Sequence, residues 1–576
     1  MTSRNFIYPT MMLTRENLDD RICIEGASQS YTWKDLLCRI EGYRLAFVAS
    51  NHKRIAIYFD ELIDSAAALL GCWAAGCTAV LPADTSQTTC DKLCEGIVDA
   101  ACGSFSAMIR VPRIIAAPSQ TPCRAVLQED LEQIEIFTSG STGTPVRIIK
   151  RLRQLFCEVQ SIEERKHGVA RNLAEDALVV STVSQQHIYG LLFFLLWSLA
   201  SARPAWERRV QYPESLISIF SSHKNCIWIA SPAHLKRLPE HLPWENVRSH
   251  IAGVYSSGGP LDEQALIRTI QLTGQSPVEL LGSSESGGIA WRSRIMMDDG
   301  SITNDHWQAL PAVEWREENG LLVIRSPQLS SADWETTSDK IRTLTAGKTF
   351  MHLGRADRIA KIEEKRVSLT LIENSLTTCG LLSQARALQL DDKRHSLAIV
   401  GVPTPEAVEI IATQGKRALV QRLRTELLQT LERVCLPRHW RFCITLPENC
   451  MGKTTREALL RLFETKTVQA VARSITPCHA ELVMTVSANC PYFSGHFPGF
   501  SILPGLAQIQ WIIELAQQCF RFDNTFLGLK KLKFSRPIRP ASTVLITLNW
   551  DAGKRNLNFE ISSTEGVVQA KGDVLF

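Results

Sequence analysis

Short apolar runs that end in small polar residues recur along the first half of the chain. An apolar run at residues 55–59 precedes a helical pattern of small apolar residues at 62–75, and a second apolar run follows at 78–81. Strand, helix and strand in this order form the unit of a parallel sheet. Similar runs stand at residues 178–183, 226–231, 251–259 and 278–284. The pattern predicts an α/β fold with a ligand site at the carboxyl ends of its strands.

The hydrophobic pattern changes twice further along the chain. After about residue 356, short strands and charged helical stretches predict a small α+β domain. From about residue 476, one helical pattern is apolar on almost every side, and three strand-like runs follow it. A helix of that kind is buried, so we expect an antiparallel sheet around it. The predicted organisation is a large domain at 1–356, a small domain at 357–463, a linker at 464–475 and a third domain at 476–576.

Composition narrows the class of protein. Hydrophobic residues make up 45% and charged residues 21% of the 576 residues, as in soluble globular proteins. The net charge of +4 implies no bulk attraction for nucleic acid. Seventeen scattered cysteines without a CxxC pair favour reduced thiols in the cytoplasm over disulfides or a zinc site. The first residues lack a signal-peptide core, and the apolar stretch at 188–202 is too short to span a membrane, so we expect a buried helix there.

The most distinctive loop is TSGSTG, which follows the apolar-alternating run LEQIEI. Its hydroxyl groups and backbone amides can face phosphate oxygens, because glycine tolerates positive φ and has no Cβ. The same composition also suits a flexible connector, and the loop alone leaves both interpretations open. Its residues are Thr138, Ser139, Gly140, Ser141, Thr142 and Gly143.

Further motifs follow this loop in an order that resembles the adenylate-forming superfamily of acyl-CoA synthetases, luciferases and peptide-synthetase adenylation domains. These motifs are HIYGL, SSGGP, LGSSE, TSD, GRADR and MGKTTREAL, and the resemblance covers residues 1–463. It assigns the TSGSTG loop to phosphate binding. The other residues that it assigns are His187 and Gly190 to the acyl pocket, Gly258, Gly259, Pro260, Leu281, Gly282 and Ser284 to the nucleotide, Glu285 to Mg²⁺, Asp339 and Arg355 to the ribose, Asp357 to the hinge and Lys453 to catalysis.

The resemblance implies a two-step reaction that uses ATP and Mg²⁺. A small carboxylic acid attacks the α-phosphate, while Mg²⁺ on Glu285 and the loop donors neutralise the triphosphate and Lys453 stabilises the transition state. A phosphopantetheine thiol, of an acyl carrier protein or of CoA, then displaces AMP from the acyl-adenylate. In this family the small domain rotates about the hinge residue, here Asp357, between the two steps.

Three positions depart from the family pattern. Val146 stands directly after the proline of the phosphate loop, where the family has a cation, and Arg147 or Lys150 is a candidate to supply the charge. Leu281 replaces an adenine-stacking aromatic residue, and Glu364 replaces a glycine of the hinge loop. Val146 and Glu364 make a non-catalytic acyl or nucleotide sensor an alternative to the ligase.

A second resemblance begins at GHFPGFSILPG, residues 495–505, and covers about the last hundred residues. It is to the hot-dog 3-hydroxyacyl-carrier-protein dehydratases, and it implies an α+β hot-dog domain. His496 is then the base that removes the α-proton, and the Gly505 amide at the helix start binds the thioester oxygen. Gln510 occupies the position of the catalytic acid, and Glu514 lies one helical turn further. Because glutamine cannot deliver a proton, an active dehydratase and an inactive module for dimerisation or thioester binding both stay open.

The fusion of the two parts resembles the ligase–dehydratase fusions of aryl-polyene and related pathways, which implies an aromatic or medium-length acyl group. It favours an acyl carrier protein over free CoA as the acceptor, and hot-dog domains imply a homo-oligomer. The identity of the acid stays open. A basic stretch is a candidate surface for an acidic carrier protein, or a plain solvated surface: Lys530, Lys531, Lys533, Arg536 and Arg539.

Overall fold

The structure is a computed structural model of the protein. It describes all residues except 1–5, 106–108, 140–144, 165–172, 298, 300, 304, 345–347, 357, 363–364, 391–395, 432, 449–453, 465–468, 494–499, 521 and 523–525. The described residues fall into two compact units, one ending at Gly354 and the other beginning at Arg355.

Two sheets and a short hairpin contain the strands that precede the boundary. They are β1 (Ile22–Glu25), β2 (Tyr31–Thr32), β3 (Arg54–Tyr58), β4 (Thr78–Leu81), β5 (Ala100–Gly103), β6 (Glu132–Ser139), β7 (Pro145–Arg151), β8 (Val179–Ser181), β9 (Ala205–Trp206), β10 (Cys226–Ala230), β11 (Ile251–Ser256), β12 (Val278–Ser283), β13 (Gly287–Ser293), β14 (Ile295–Met296), β15 (Ile302–Thr303), β16 (Trp307–Ala309), β17 (Glu314–Glu318), β18 (Leu321–Arg325), β19 (Glu335–Thr343) and β20 (Thr349–Arg355). The smaller sheet has the order β5-β3-β4-β6-β7, and the larger has the order β17-β18-β19-β20-β16-β13-β12-β11-β10-β8-β9-β1-β2.

The helices of the first unit pack against these sheets. They are α1 (Pro9–Met12), α2 (Trp33–Ser50), α3 (Leu62–Ala74), α4 (Gln87–Cys94), α5 (Leu152–Glu163), α6 (Ile188–Gly190), α7 (Trp197–Ala200), α8 (Pro213–Ser222), α9 (Pro232–Leu235) and α10 (Glu263–Thr273), with a π-helical segment at Leu191–Leu196 and 3₁₀ turns at Glu16–Leu18, Trp244–Asn246 and Arg248–His250.

The parallel strand–helix–strand unit predicted from the sequence is confirmed by β3, α3 and β4. Strands β3 and β4 pair in parallel from Arg54↔Thr78 to Ala56↔Val80. Ala66, Ala67 and Ala68 of α3 are fully buried, because such short side chains let a helix approach its neighbours closely. The other predicted strands return as β8, β10, β11 and β12, which are parallel neighbours.

The apolar stretch at 188–202 is also confirmed as buried helix. It runs through α6, the π-helical segment and α7, and every residue from Gly190 to Ala200 is buried. Within the described residues, no helix combines the length and the apolar character that crossing a membrane requires.

The second unit contains a small mixed sheet, a hairpin and a six-stranded sheet. Its strands are β21 (Ile359–Ile362), β22 (Lys365–Ser368), β23 (Leu382–Gln389), β24 (Leu397–Pro403), β25 (His439–Phe442), β26 (Ala470–Ile475), β27 (His479–Thr485), β28 (Gly528–Phe534), β29 (Thr543–Asp551), β30 (Asn556–Ser563) and β31 (Val568–Leu575). Its helices are α11 (Leu369–Thr378), α12 (Pro405–Gln414), α13 (Lys416–Leu427), α14 (Arg456–Arg461) and α15 (Gly505–Cys519), with 3₁₀ turns at Arg433–Cys435 and Pro491–Phe493.

The predicted antiparallel sheet with one apolar helix is confirmed. The sheet has the order β26-β27-β29-β30-β31-β28, and α15 shares an apolar core with it through Trp511, Ile512 and Leu515. The range predicted as a linker, residues 464–475, ends in a strand. Residues 470–475, which include the end of the predicted linker, form strand β26, because they pair with β27 in an antiparallel ladder.

Candidate active site

The phosphate-type loop joins two paired strands. Strands β6 and β7 are antiparallel and come together at Thr138↔Val146 and Ser139↔Pro145. Strand β6 is also parallel to β4, which places the loop at the carboxyl edge of the smaller sheet. Four of its predicted ligands, Gly140, Ser141, Thr142 and Gly143, lie outside the described residues. The phosphate-binding role of the loop stays a prediction.

Both cations proposed to replace the one missing at Val146 already have protein partners. The Arg147 guanidinium donates to Glu135 Oε1 at 2.7 Å, and Arg54 donates to the other oxygen of Glu135 at 2.7 Å. Arg147 keeps a 46% exposed side chain. Lys150 is buried and donates from Nζ to the backbone oxygens of Glu285 at 2.5 Å and Gln328 at 3.1 Å. Lys150 therefore holds backbone in place, and of the two only Arg147 reaches solvent.

A buried carboxylate lies close to Lys150. Glu158 accepts a hydrogen bond from the Gly288 amide at 2.8 Å, and burial raises the pKa of its carboxyl to about 7, with the Lys150 charge acting in the opposite direction. Burial likewise lowers the pKa of Lys150. A Cβ on Gly287, whose φ is +71°, would lie 2.8 Å from Glu158 Oε2 and 2.6 Å from Gln328 Oε1. The site thus needs glycine beside this buried pair.

The Glu285 turn is held from within by two serines. Ser283 and Ser286 exchange hydrogen bonds of 3.0 to 3.2 Å through their hydroxyls and amides, which closes the turn between β12 and β13. Glu285 is exposed, and Ser284 is half-buried. A Cβ on Gly282 would lie 2.4 Å from the Gly287 oxygen, so the two strands approach too closely for a side chain there.

The predicted adenine-side loop lies at the same edge of the larger sheet as the Glu285 turn. Gly258, Gly259 and Pro260 are exposed directly after β11, and Gly258 has a φ of +91° that suits glycine. The preceding Ser257 donates to the Leu280 oxygen at 3.1 Å. Because β11 and β12 are parallel neighbours, this loop and the half-buried Leu281 lie at adjacent strand ends.

His187 and Gly190 take different positions at the start of the buried helical segment. His187 is half-buried ahead of α6 and interacts electrostatically with Asp84. Gly190 is buried, and a Cβ there would lie 2.0 Å from the Ser184 oxygen. Close backbone packing therefore requires a glycine at position 190, and the role of Gly190 in the acyl pocket stays a prediction.

Asp339 has a partner that the sequence did not reveal. Its Oδ1 lies 2.9 Å from His352 Nε2, and its amide donates to Thr337 Oγ1 at 3.1 Å. The carboxylate is 13% exposed and the imidazole 24%. Arg355 is exposed at the end of β20. Asp357, Glu364 and Lys453 lie outside the described residues.

The start of α15 forms the second candidate site. A Cβ on Gly505 would lie 2.7 Å from Phe534 Cζ, so glycine lets that ring cover the first turn of the helix. Gln510 donates from Nε2 to Glu514 Oε1 at 2.9 Å, which joins the two residues that the sequence offered as alternatives. His496 lies outside the described residues.

The residues described fit a magnesium ion that is held mainly by a nucleotide. Among them, no group of three or more His, Cys, Asp or Glu side chains has the geometry of a metal cage. Mg²⁺ commonly binds one or two carboxylates together with substrate phosphates. An exposed carboxylate at the sheet edge, as Glu285 provides, suits that mode.

Comparison with known proteins separates the chain into two matched parts. A family model described as AMP-binding enzyme matches residues 111–330, and one described as ApeI dehydratase matches residues 472–573. The chain is 32% identical over 104 residues to the 3-hydroxyacyl-[acyl-carrier-protein] dehydratase FabZ of Thermomicrobium roseum, a match covering 16% of the chain and 69% of that protein. It is 31% identical over 109 residues to FabZ of Caldicellulosiruptor saccharolyticus, covering 17% and 76%.

Solved structures resemble the fold of about four-fifths of the chain. ATP-bound MatB from Rhodopseudomonas palustris superposes with a TM-score of 0.65 at 15% identity, covering 79% of this chain and 99% of that one. A benzoate CoA ligase from Burkholderia xenovorans gives a TM-score of 0.60 at 17% identity, with the same coverage. The predicted α/β class and the fusion of two parts are thereby confirmed.

Proposed function

The chain belongs to the 3-hydroxyacyl-[acyl-carrier-protein] dehydratase family through its C-terminal region and carries an AMP-binding enzyme domain before it, and from this premise we propose that it activates a carboxylic acid with ATP and transfers the acyl group to a phosphopantetheine thiol. An acyl carrier protein is the preferred acceptor, because the dehydratase relatives are named for carrier-bound substrates. Free cysteines throughout the described residues support a reducing, cytoplasmic location.

One contact carries the ligase proposal. The Lys150–Glu285 hydrogen bond joins the hairpin that bears the phosphate-type loop to the turn that bears the proposed magnesium carboxylate. When bound, Mg²⁺ would be held by Glu285 and the ATP phosphates, and it would neutralise the charge that repels an attacking carboxylate. The loop amides and hydroxyls would orient the phosphates, and Lys453 would stabilise the α-phosphate in its transition state.

Acid-dependent exchange between ATP and pyrophosphate tests this proposal. We expect exchange with a subset of an acid panel, lost in Lys453→Ala and in Glu285→Gln. The same acids are then offered with holo carrier protein or with CoA. A chain that binds ATP but never exchanges it, with any acid, would support the sensor alternative.

The Gln510–Glu514 contact favours an active dehydratase as a second function. Its amide fixes the Glu514 carboxylate on the exposed helix face, where that carboxylate can assist the departure of a hydroxyl while His496 removes the α-proton. We expect dehydration of a 3-hydroxyacyl thioester that is lost in His496→Ala and falls at least about tenfold in Glu514→Gln. Absence of dehydration in the wild type would leave the domain as a dimerisation or binding module.

We also propose a homodimer through strand β28. This strand ends the six-stranded sheet, so its outer backbone edge has no described strand beside it. Leu527, which directly precedes β28, is 68% exposed, and Leu529, Leu532 and Phe534 of the strand are also exposed. A second copy presents the same strand and the same apolar residues, as a two-fold interface requires. Light scattering should report a dimer that Leu529→Asp with Leu532→Asp converts to a monomer.

A further inference from the structure

A wide basic groove runs along α13 in the second unit. It has a volume of about 1190 Å³, and α13 and β25 together contribute half of its lining residues. Thr485, Ala541 and Thr543 of the six-stranded sheet region complete the wall. The groove is thus bordered by both the small α+β domain and the dehydratase-type domain.

The groove is lined by cations and by no described carboxylate. Its basic lining residues are Lys416, Arg417, Arg424, Arg433, Arg438, His439 and Arg441. Charge of one sign around a concave surface raises the local potential and favours anions. The net charge of the whole chain is only +4, so this concentration is local.

Two of these cations share one acceptor at the groove floor. Lys416 Nζ and Arg441 both donate to the Trp440 oxygen, at 3.0 and 3.1 Å. The Arg441 guanidinium also lies over the Phe463 ring, 4.8 Å from its centroid. Neither forms an ion pair with any carboxylate in the described part of the chain. Two neighbouring, partly buried cations without a counter-ion disfavour one another, and an external anion would relieve this.

The other four arginines that line the groove also lack a described carboxylate partner. Arg417, Arg433 and Arg438 are exposed and Arg424 is half-buried, and within the described ranges none forms an ion pair. Other arginines of the same unit do: Arg473 pairs with Glu409 at 2.7 Å and Arg358 with Glu373 at 2.5 Å. This difference distinguishes the groove from an ordinary mixed-charge surface.

We propose that this groove docks an acidic helical surface of the carrier protein that bears the acyl thioester. The inference rests on the proposed function and names the surface that its partner would use. Helix α13 has 12 residues and is about 18 Å long, a span that matches a partner helix rather than one nucleotide. The side chain of Trp440 is buried, and the groove lining contains no exposed Phe, Tyr or Trp ring on which nucleic-acid bases could stack.

Binding of a fluorescently labelled, acidic holo acyl carrier protein, followed by anisotropy, tests the proposal. The full-length triple variant Arg417→Glu, Arg424→Glu and Arg438→Glu should raise the Kd at least about tenfold and flatten its salt dependence. Arg422→Glu is the matched control, because Arg422 is exposed on the same helix but does not line the groove. ATP–pyrophosphate exchange and acyl transfer to CoA should be unchanged in both variants.

Several outcomes would overturn this assignment. They are wild-type carrier affinity in the triple variant, an equal loss in Arg422→Glu, and a loss that instead follows Lys530→Glu with Lys533→Glu on the edge strand. Tighter binding of a single-stranded oligonucleotide than of the carrier protein would also overturn it. Failure of exchange in the wild type would instead reject the ligase proposal, since carrier binding is measured without catalysis.

Discussion

Replacing Lys150 with methionine tests the contact on which the ligase proposal depends. The substitution keeps the length and apolar stem of the side chain but removes the ammonium that donates to the Glu285 and Gln328 oxygens. A buried hydrogen bond to a charged group contributes about 1.5 to 3 kcal/mol, and Lys150 donates two such bonds to backbone oxygens. We therefore expect the free energy of unfolding to fall by about 3 kcal/mol or more, measured by urea titration.

Catalysis should suffer more than stability. The Glu285 turn loses its tie to the hairpin of the phosphate-type loop, and a displacement of about 1 Å in a reacting group can cost about 100-fold. We expect kcat/KM for ATP–pyrophosphate exchange to fall by about that factor in Lys150→Met. The control is Arg151→Met, because Arg151 is the next residue and its pair with Glu132 is exposed, which limits its contribution to about 1 kcal/mol or less.

A double variant separates charge from positioning. Lys150→Met leaves Glu158 buried without its cationic neighbour, so adding Glu158→Gln should restore part of the stability, about 1 to 2 kcal/mol. It should not restore exchange, because the Glu285 oxygen still lacks its donor. The reasoning is refuted if Lys150→Met matches Arg151→Met in unfolding free energy and stays within twofold of the wild type in exchange.

Three further predictions concern the first unit. Gly190→Ala should lower the free energy of unfolding by about 3 kcal/mol or more, because the added Cβ would lie 2.0 Å from the Ser184 backbone oxygen. Gly259→Ala is the control, since the space around that glycine is open, and it should leave the urea midpoint unchanged. Glu163→Gln breaks the buried pair with Arg203, 2.6 Å long, and should cost about 3 to 5 kcal/mol in the same titration. Burial and neighbouring arginines lower the pKa of His234 from 6.5 to about 4, so the folded state disfavours the protonated imidazole. The free energy of unfolding should therefore fall as the pH drops below 6.5, by roughly 2 kcal/mol at pH 5. His234→Gln should lack that loss, and an unchanged pH profile would contradict it.

Local pattern was sufficient for much of the fold. The alternation and length of apolar runs predicted β3, α3 and β4 because periodicity depends on near neighbours along the chain. The helix of the last domain was evident because it is apolar on nearly every side. Strand β26 was missed, because its pairing partner β27, and not its own composition, makes it a strand.

The candidate sites divide in the same way. Motif order along the chain pointed to Glu285 and to the Gln510 position, because each motif is a short run of residue types that the chemistry requires. The motifs did not reveal which residues contact the candidate site residues. In the structure, His352 contacts Asp339, and Lys150 donates a hydrogen bond to the Glu285 carbonyl. Lys150 and Glu285 are 135 residues apart, and nothing local marks their meeting.

Strand periodicity in the sequence predicted the α/β class, and the order of short motifs gave the resemblance to adenylate-forming enzymes and to hot-dog dehydratases, since periodicity and motifs are both local properties. Contacts between residues distant in sequence determined which partners the charged side chains have. It buried Lys150 beside Glu158, joined Gln510 to Glu514, and gathered the cations of α13 and β25 around one groove. Burial and distance set the strength of each of these interactions, and both arise only when distant segments pack together.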